Sequence, residues 1–182
     1  MPLKRWEQLS SKILFSNKYW DYHLDEFKIE DGEKGEYHYI RTGGSSMIIP
    51  VTDNGKLLLV NQYRYLNQRE SLEFPCGSIS AKLTSKENAI KELREETGYS
   101  AKELIPAGFF SPFNGVTDEM CYVYVAKELF ADKLKADATE EFELHELTPD
   151  KIDELIADNT IWDGMTIAAW MLAKKLISTN TK

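Results

Sequence analysis

Large apolar side chains alternate with polar ones along Trp20-Asp21-Tyr22-His23-Leu24-Asp25, the period-two pattern of a half-buried strand. Asp31-Gly32-Glu33-Lys34-Gly35 reads as a turn and Glu36–Arg41 as the returning strand, in a stretch from Lys12 to Arg41 that is mainly strand. Gly43-Gly44-Ser45-Ser46 is the best boundary, separating a small N-terminal sheet at 1–45 from a larger domain at 46–182. Beyond it, Met47-Ile48-Ile49-Pro50-Val51 and Lys56-Leu57-Leu58-Leu59-Val60 flank the turn signal Asp53-Asn54-Gly55. Runs that are apolar on successive residues predict strands covered on both faces. Leu72–Phe74, Cys121–Ala126 and Phe142–Leu147 are further strand candidates. Helical periodicity covers Thr84–Thr97, Pro149–Ala157 and Gly164–Ile177. Strands between helical segments predict an α/β core layer with the N-terminal strands as a small extra antiparallel sheet.

Composition narrows the classes. The 182 residues include 42% apolar and 12% aromatic side chains, enough for a core and against intrinsic disorder. The longest apolar run, Ile167–Ala173, is far short of the ~20 residues that cross a bilayer. The start, MPLKRWEQLSS, has no apolar signal segment, so a cytoplasmic protein without a membrane partner is expected. Cys76 and Cys121 are expected as free thiols, and two Cys with three scattered His give no zinc-ligand spacing. Thirty acidic against 22 basic residues leave a net charge of −8, which argues against nucleic acid as a partner.

Part of that acid excess has a pattern. In the segment Gly77–Tyr99, Thr84 with Glu87 has capping-box spacing, and Gly98 suits a left-handed helix end. Ala89, Ile90, Leu93 and Thr97 form an apolar face, and Glu92, Glu95 and Glu96 at i, i+3 and i+4 share the face beside it. Such carboxylates repel one another, and a hard divalent cation such as Mg²⁺ relieves the repulsion. The alternative from spacing alone is a solvated acidic helix face.

The segment resembles the Nudix hydrolase family, whose box reads G-x5-E-x7-R-E-U-x-E-E-x-G-U with U bulky and apolar. Gly77, Glu92, Leu93, Glu95, Glu96, Gly98 and Tyr99 fall in register; Leu83 stands where the first Glu belongs and Lys91 where Arg belongs. In the family those two side chains brace the loop against the helix, so burial of Leu83 is expected to tie the loop down instead. The flanks are similar to the ADP-ribose and nucleoside-diphosphate-sugar pyrophosphatase branch: Gln62-Tyr63-Arg64, then Leu72-Glu73-Phe74-Pro75-Cys76-Gly77, and Ser111-Pro112-Phe113-Asn114-Gly115-Val116-Thr117-Asp118-Glu119. The fold implied is a Nudix-type α/β/α sandwich.

The resemblance also implies roles. Glu92 and Glu96 match metal ligands, Glu95 is a third candidate, and Cys76 would give its backbone carbonyl. Mg²⁺ is the implied cofactor, with Mn²⁺ as a substitute. Arg64 would contact diphosphate or ribose, or form an ion pair with Glu70 or Glu73. Glu73 would accept from a sugar hydroxyl, or pair with Arg64. Asp118 and Glu119 fall in the branch's substrate loop. Glu140, in the acidic run before the last strand, is favoured over Glu141 as the base that activates water. Tyr19 and Trp20 would stack a nucleobase, or serve as core aromatics. A homodimer through the N-terminal sheet is implied. The implied reaction is hydrolysis of the diphosphate of a nucleotide sugar such as ADP-ribose, to a nucleoside monophosphate and a sugar phosphate. The alternatives are a nucleoside triphosphate sanitiser and a non-catalytic nucleotide-sugar sensor.

Overall fold

A computed structural model describes residues 3–30, 32–135 and 141–178. The chain forms two compact units, residues 1–44 with 113–119, and residues 45–112 with 120–182.

The first unit is an antiparallel sheet of β1 (Trp6–Ser16), β2 (Asp21–Ile29) and β3 (Lys34–Arg41), in that order. Its register places His23 between Ile13 and Tyr39; the imidazole is buried and stacks on the Tyr39 ring at 5.1 Å. The 113–119 loop is held to β3 by backbone bonds, Ile40 N–H to the Val116 carbonyl at 2.8 Å and Asp118 N–H to the Ile40 carbonyl at 3.2 Å. The strand region begins at Trp6 rather than Lys12. Bulges at Gln8/Ser10 and Ile13/Phe15 put Trp6, Leu9, Ile13, Leu14 and Phe15 out of strict alternation, which hides the start of β1 from a period-two reading.

In the second unit, the central strand is β4 (Ser45–Pro50), every residue of which is buried. It lies between β7 (Cys76–Ser78), antiparallel, and β9 (Cys121–Ala131), parallel, and β8 (Tyr99–Phe110) pairs with the far side of β9. The strand expected from its unbroken apolar run is therefore covered on both faces. Ile48, Tyr124 and Ala126 pack with Ala89 and Leu93 of α1 (Ser85–Glu96). Met47, Ile49, Val123 and Val125 pack with Ile152 of α2 (Pro149–Ala157) and with Ala169, Trp170 and Ala173 of α3 (Gly164–Ser178). Fully burying one Leu- or Ile-sized side chain contributes ~1.5–3 kcal/mol. A second sheet runs β10 (Glu143–Leu147), β5 (Leu57–Arg64), β6 (Arg69–Glu73), all antiparallel. The unit is the α/β/α sandwich expected. Strand β8 has no sequence signature: Pro106 cannot donate to a ladder, and a bulge between Pro106 and Gly108 breaks the alternation. Among the described residues, no helix is long and apolar enough to cross a membrane.

Candidate active site

The carboxylates are delivered by the strand–loop–helix unit from β7 to α1. Thr84 caps the helix as its spacing predicts: its Oγ1 accepts from the Glu87 N–H at 3.2 Å, and its own N–H donates to Glu87 Oε2 at 2.8 Å. Those bonds to Thr84 hold the Glu87 carboxyl below its ordinary range. Gly98 ends the unit at φ +79°, where a side chain would be strained. The loop is fixed beside β4 by the Ile48 N–H bond to the Pro75 carbonyl at 2.9 Å, and the helix start by Ser46 Oγ donating to the Ser85 carbonyl at 2.8 Å.

The buried side of α1 carries Asn88, Ala89, Glu92 and Leu93, rather than the Ala89, Ile90, Leu93 and Thr97 face expected. Two polar side chains are thus turned inward, and both meet Gly77. Asn88 Nδ2 donates to the Gly77 carbonyl at 3.1 Å. Glu92 lies so close that a Cβ on Gly77 would fall 2.3 Å from its carboxyl carbon. Leu83 is half-buried, and Asn88 adds a direct hydrogen bond from the helix to the loop. Asn88 was missed because a mid-helix Asn has no sequence signal of its own.

Glu92 and Glu95 converge on one positive charge: Lys91 Nζ donates to Glu92 Oε1 at 3.2 Å and to Glu95 Oε2 at 2.5 Å. Burial works against the Lys91 ammonium, but the bonds to Glu95 and Glu92, with their charges, outweigh it and hold its pKa above the ordinary value. Glu96 is half-buried at the end of the helix. Among the described residues, no cluster of three or more Asp, Glu, His or Cys side chains is gathered into a ready ligand set. Two hard oxygen donors that already close on a single cation nevertheless fit Mg²⁺, which is commonly held by one or two carboxylates together with substrate phosphates.

On the neighbouring strands, Arg64 and Glu73 take the ion-pair geometry. Arg64 Nε donates to Glu73 Oε1 at 2.7 Å and Nη2 donates to Oε2. Those bonds hold the guanidinium above its ordinary value against the effect of burial, and the nearby charges of Glu73 and Asp163 add to it. Glu70 pairs instead with Asn61 Nδ2 at 3.0 Å. Asp163, not singled out in the sequence, caps α3 by accepting from the Thr166 N–H at 2.7 Å, and its charge reaches both Arg64 and Cys76. The hydrogen bond to Cys121, and then its partial burial, push the Cys76 thiol's pKa well up; both cysteines are free. A thiol of that kind is a packing group, not a nucleophile.

The remaining candidates fall in the first unit or outside the described residues. Tyr19 and Trp20 sit in the β1–β2 connection, their N–H groups donating to Asn17 Oδ1 at 2.8 and 3.0 Å; Tyr19 is exposed, while Trp20 is half-buried against Phe15. Asp118 is held by Arg41 Nε at 3.0 Å and by the Thr42 N–H at 3.1 Å, next to Glu119. Its bond to Arg41 raises that guanidinium's pKa. Glu140 lies outside the described residues; Glu141, its neighbour, is exposed.

Residues 42–168 match the NUDIX domain. An ADP-ribose pyrophosphatase of Bacillus subtilis is 29% identical over 88% of this chain and 88% of its own length. A methanol dehydrogenase activator of Bacillus methanolicus is 28% identical, again over 88% of each. A crystal structure of an ADP compounds hydrolase superposes with a TM-score of 0.88 at 20% identity, covering 100% of this chain and 98% of that one, a likeness of fold.

Proposed function

The chain belongs to the NUDIX domain family, and from that premise we propose that it is a Mg²⁺-dependent pyrophosphatase of ADP-ribose or a related nucleoside diphosphate sugar. The reading rests above all on one observation: Glu92, packed against Gly77, and Glu95 both close on the ammonium of Lys91, a site for one positive charge. The similarity to an ADP-ribose pyrophosphatase over most of the chain supports the substrate class.

Glu92, Glu95 and Glu96 would hold the metal, with the Cys76 carbonyl as a further oxygen donor. Bound there, Mg²⁺, or Mn²⁺ in its place, supplies charge neutralisation for the diphosphate and acidifies water. Glu140 would take the proton as water attacks one phosphorus in line, which releases a nucleoside monophosphate and a sugar phosphate. Arg64, oriented by Glu73, keeps N–H donors that the pair does not use, and these would bind diphosphate or ribose oxygen. Asp118 and Glu119 would meet the substrate, and Tyr19 with Trp20 would stack the base. The apolar residues left exposed along β1 support a homodimer formed through the N-terminal sheet. Free thiols on Cys76 and Cys121 support a cytoplasmic setting.

The test is a panel of ADP-ribose, GDP-mannose, UDP-glucose and nucleoside triphosphates, with Mg²⁺ and with EDTA. Mg²⁺-dependent formation of AMP and ribose 5-phosphate is expected, and loss of most turnover in Glu96→Gln with the fold intact. Preferential cleavage of triphosphates, or binding of nucleotide sugars without turnover, would replace the reading with the sanitising or the sensing alternative.

A further inference from the structure

Two side chains depart from the Nudix box, Leu83 and Lys91. In the family the side chains at these two positions brace the loop against the helix. Leu83 offers no charge, and the Lys91 ammonium turns instead to the carboxylates one residue and one helical turn ahead, 3.2 Å from Glu92 and 2.5 Å from Glu95. It therefore occupies the space between two carboxylates that a hard cation would need. We propose that Lys91 is the resident counter-ion of this site: its ammonium neutralises Glu92 and Glu95 while no divalent cation is bound, and it withdraws as one binds.

The side chain is suited to that exchange. Lysine carries a compact charge on a flexible four-carbon stem, without the planar fork that locks Arg onto a carboxylate. The Lys91 side chain is 40% exposed, so water lies within reach, whereas Glu92 and Glu95 are 10% and 18% exposed and stay in place. Metal binding is then an exchange of one cation for another. Its affinity is lower than two uncompensated carboxylates would give, and Lys91 sets it.

The inference rests on the metal reading above, and the experiment separates the two. The protein is stripped with EDTA and titrated with Mn²⁺, followed by its spin resonance, and with Mg²⁺, followed by calorimetry, in wild type, Lys91→Met, Lys91→Gln and Lys91→Arg. Removing a positive charge this close to both carboxylates should tighten metal binding by about tenfold or more in the two neutral variants. The same variants should melt lower than wild type in EDTA and gain more on adding metal, while Lys91→Arg should keep the weaker affinity. The second neutral variant secures the result if the first does not fold. Affinity in the neutral variants that is unchanged or weakened, with wild type binding normally, overturns the counter-ion role alone. Folded wild-type protein that binds neither ion overturns the metal reading and the counter-ion role with it.

Discussion

Arg64 holds Glu73 through two parallel hydrogen bonds, one from Nε to Oε1 at 2.7 Å and one from Nη2 to Oε2. The two ends of this pair are unequally exposed: the Arg64 side chain is 43% accessible and Glu73 only 2%. Losing the arginine would therefore strand a buried carboxylate, whereas losing the carboxylate's charge leaves a guanidinium that can turn to water. Arg64→Met should cost about 3–5 kcal/mol in urea unfolding, the figure for breaking a buried pair, and Glu73→Gln clearly less. Equal costs for the two would show that Glu73 is not the dependent partner.

Gly77 predicts a second asymmetry, between activity and stability. An added Cβ would stand 2.3 Å from the carboxyl carbon of Glu92 and 2.5 Å from both its oxygens. The end of that side chain can swing aside more easily than the backbone can, so Gly77→Ala should stay folded with Glu92 displaced. A misplacement near 1 Å costs on the order of a hundredfold in rate. The expected outcome is a drop of that size in turnover with a circular dichroism spectrum like wild type. Wild-type turnover would mean that Glu92 has no required position.

Much of the sandwich was legible in the sequence because local signals and tertiary structure agree there. Thr84 and Glu87 start α1 with their mutual capping bonds, Gly98 ends it at a positive φ, and the apolar run Met47–Ile49 within β4 is covered on both faces, as its pattern predicts. The hidden parts are those where tertiary contacts override local pattern. Pro106 and the bulge beside it conceal β8, and two bulges conceal the start of β1. The site divides the same way. Glu92, Glu95 and Glu96 are visible as a spacing, but the choice between substrate contact and ion pair at Arg64 depends on a partner nine residues away. Asn88 gave no signal, because what matters about it is the carbonyl it reaches across a loop.

That reach supplies a third prediction. Asn88 is 1% exposed, and its Nδ2 is a hydrogen-bond donor to the Gly77 carbonyl. Asn88→Ala leaves that carbonyl without this donor, which should cost about 1–3 kcal/mol. Asn88→Asp should be worse despite its matching shape. It offers the carbonyl an oxygen in place of a donor and adds a charge in a buried place on the turn before Glu92. Denaturant midpoints that rank Asp above Ala would refute the donor role.

The fourth concerns acid. Asp153 on α2 accepts from Lys174 Nζ and, at 2.8 Å, from the indole N–H of Trp170, the largest wholly buried side chain of the core. The bonds from Lys174 and then Trp170 lower the Asp153 pKa in the folded chain from its ordinary 3.8. A carboxyl depressed on folding contributes stability that is complete above its unfolded pKa and is lost as pH falls through the folded one. Asp153→Asn should therefore lower Tm at neutral pH, and the gap to wild type should close on acidification below about pH 4. The side chain is 41% exposed and partly screened by water, which limits the neutral-pH cost to about 1 kcal/mol or less. A Tm difference that persists unchanged into acid would mean that the amide has disturbed the packing around Trp170 and that the charge is not the cause.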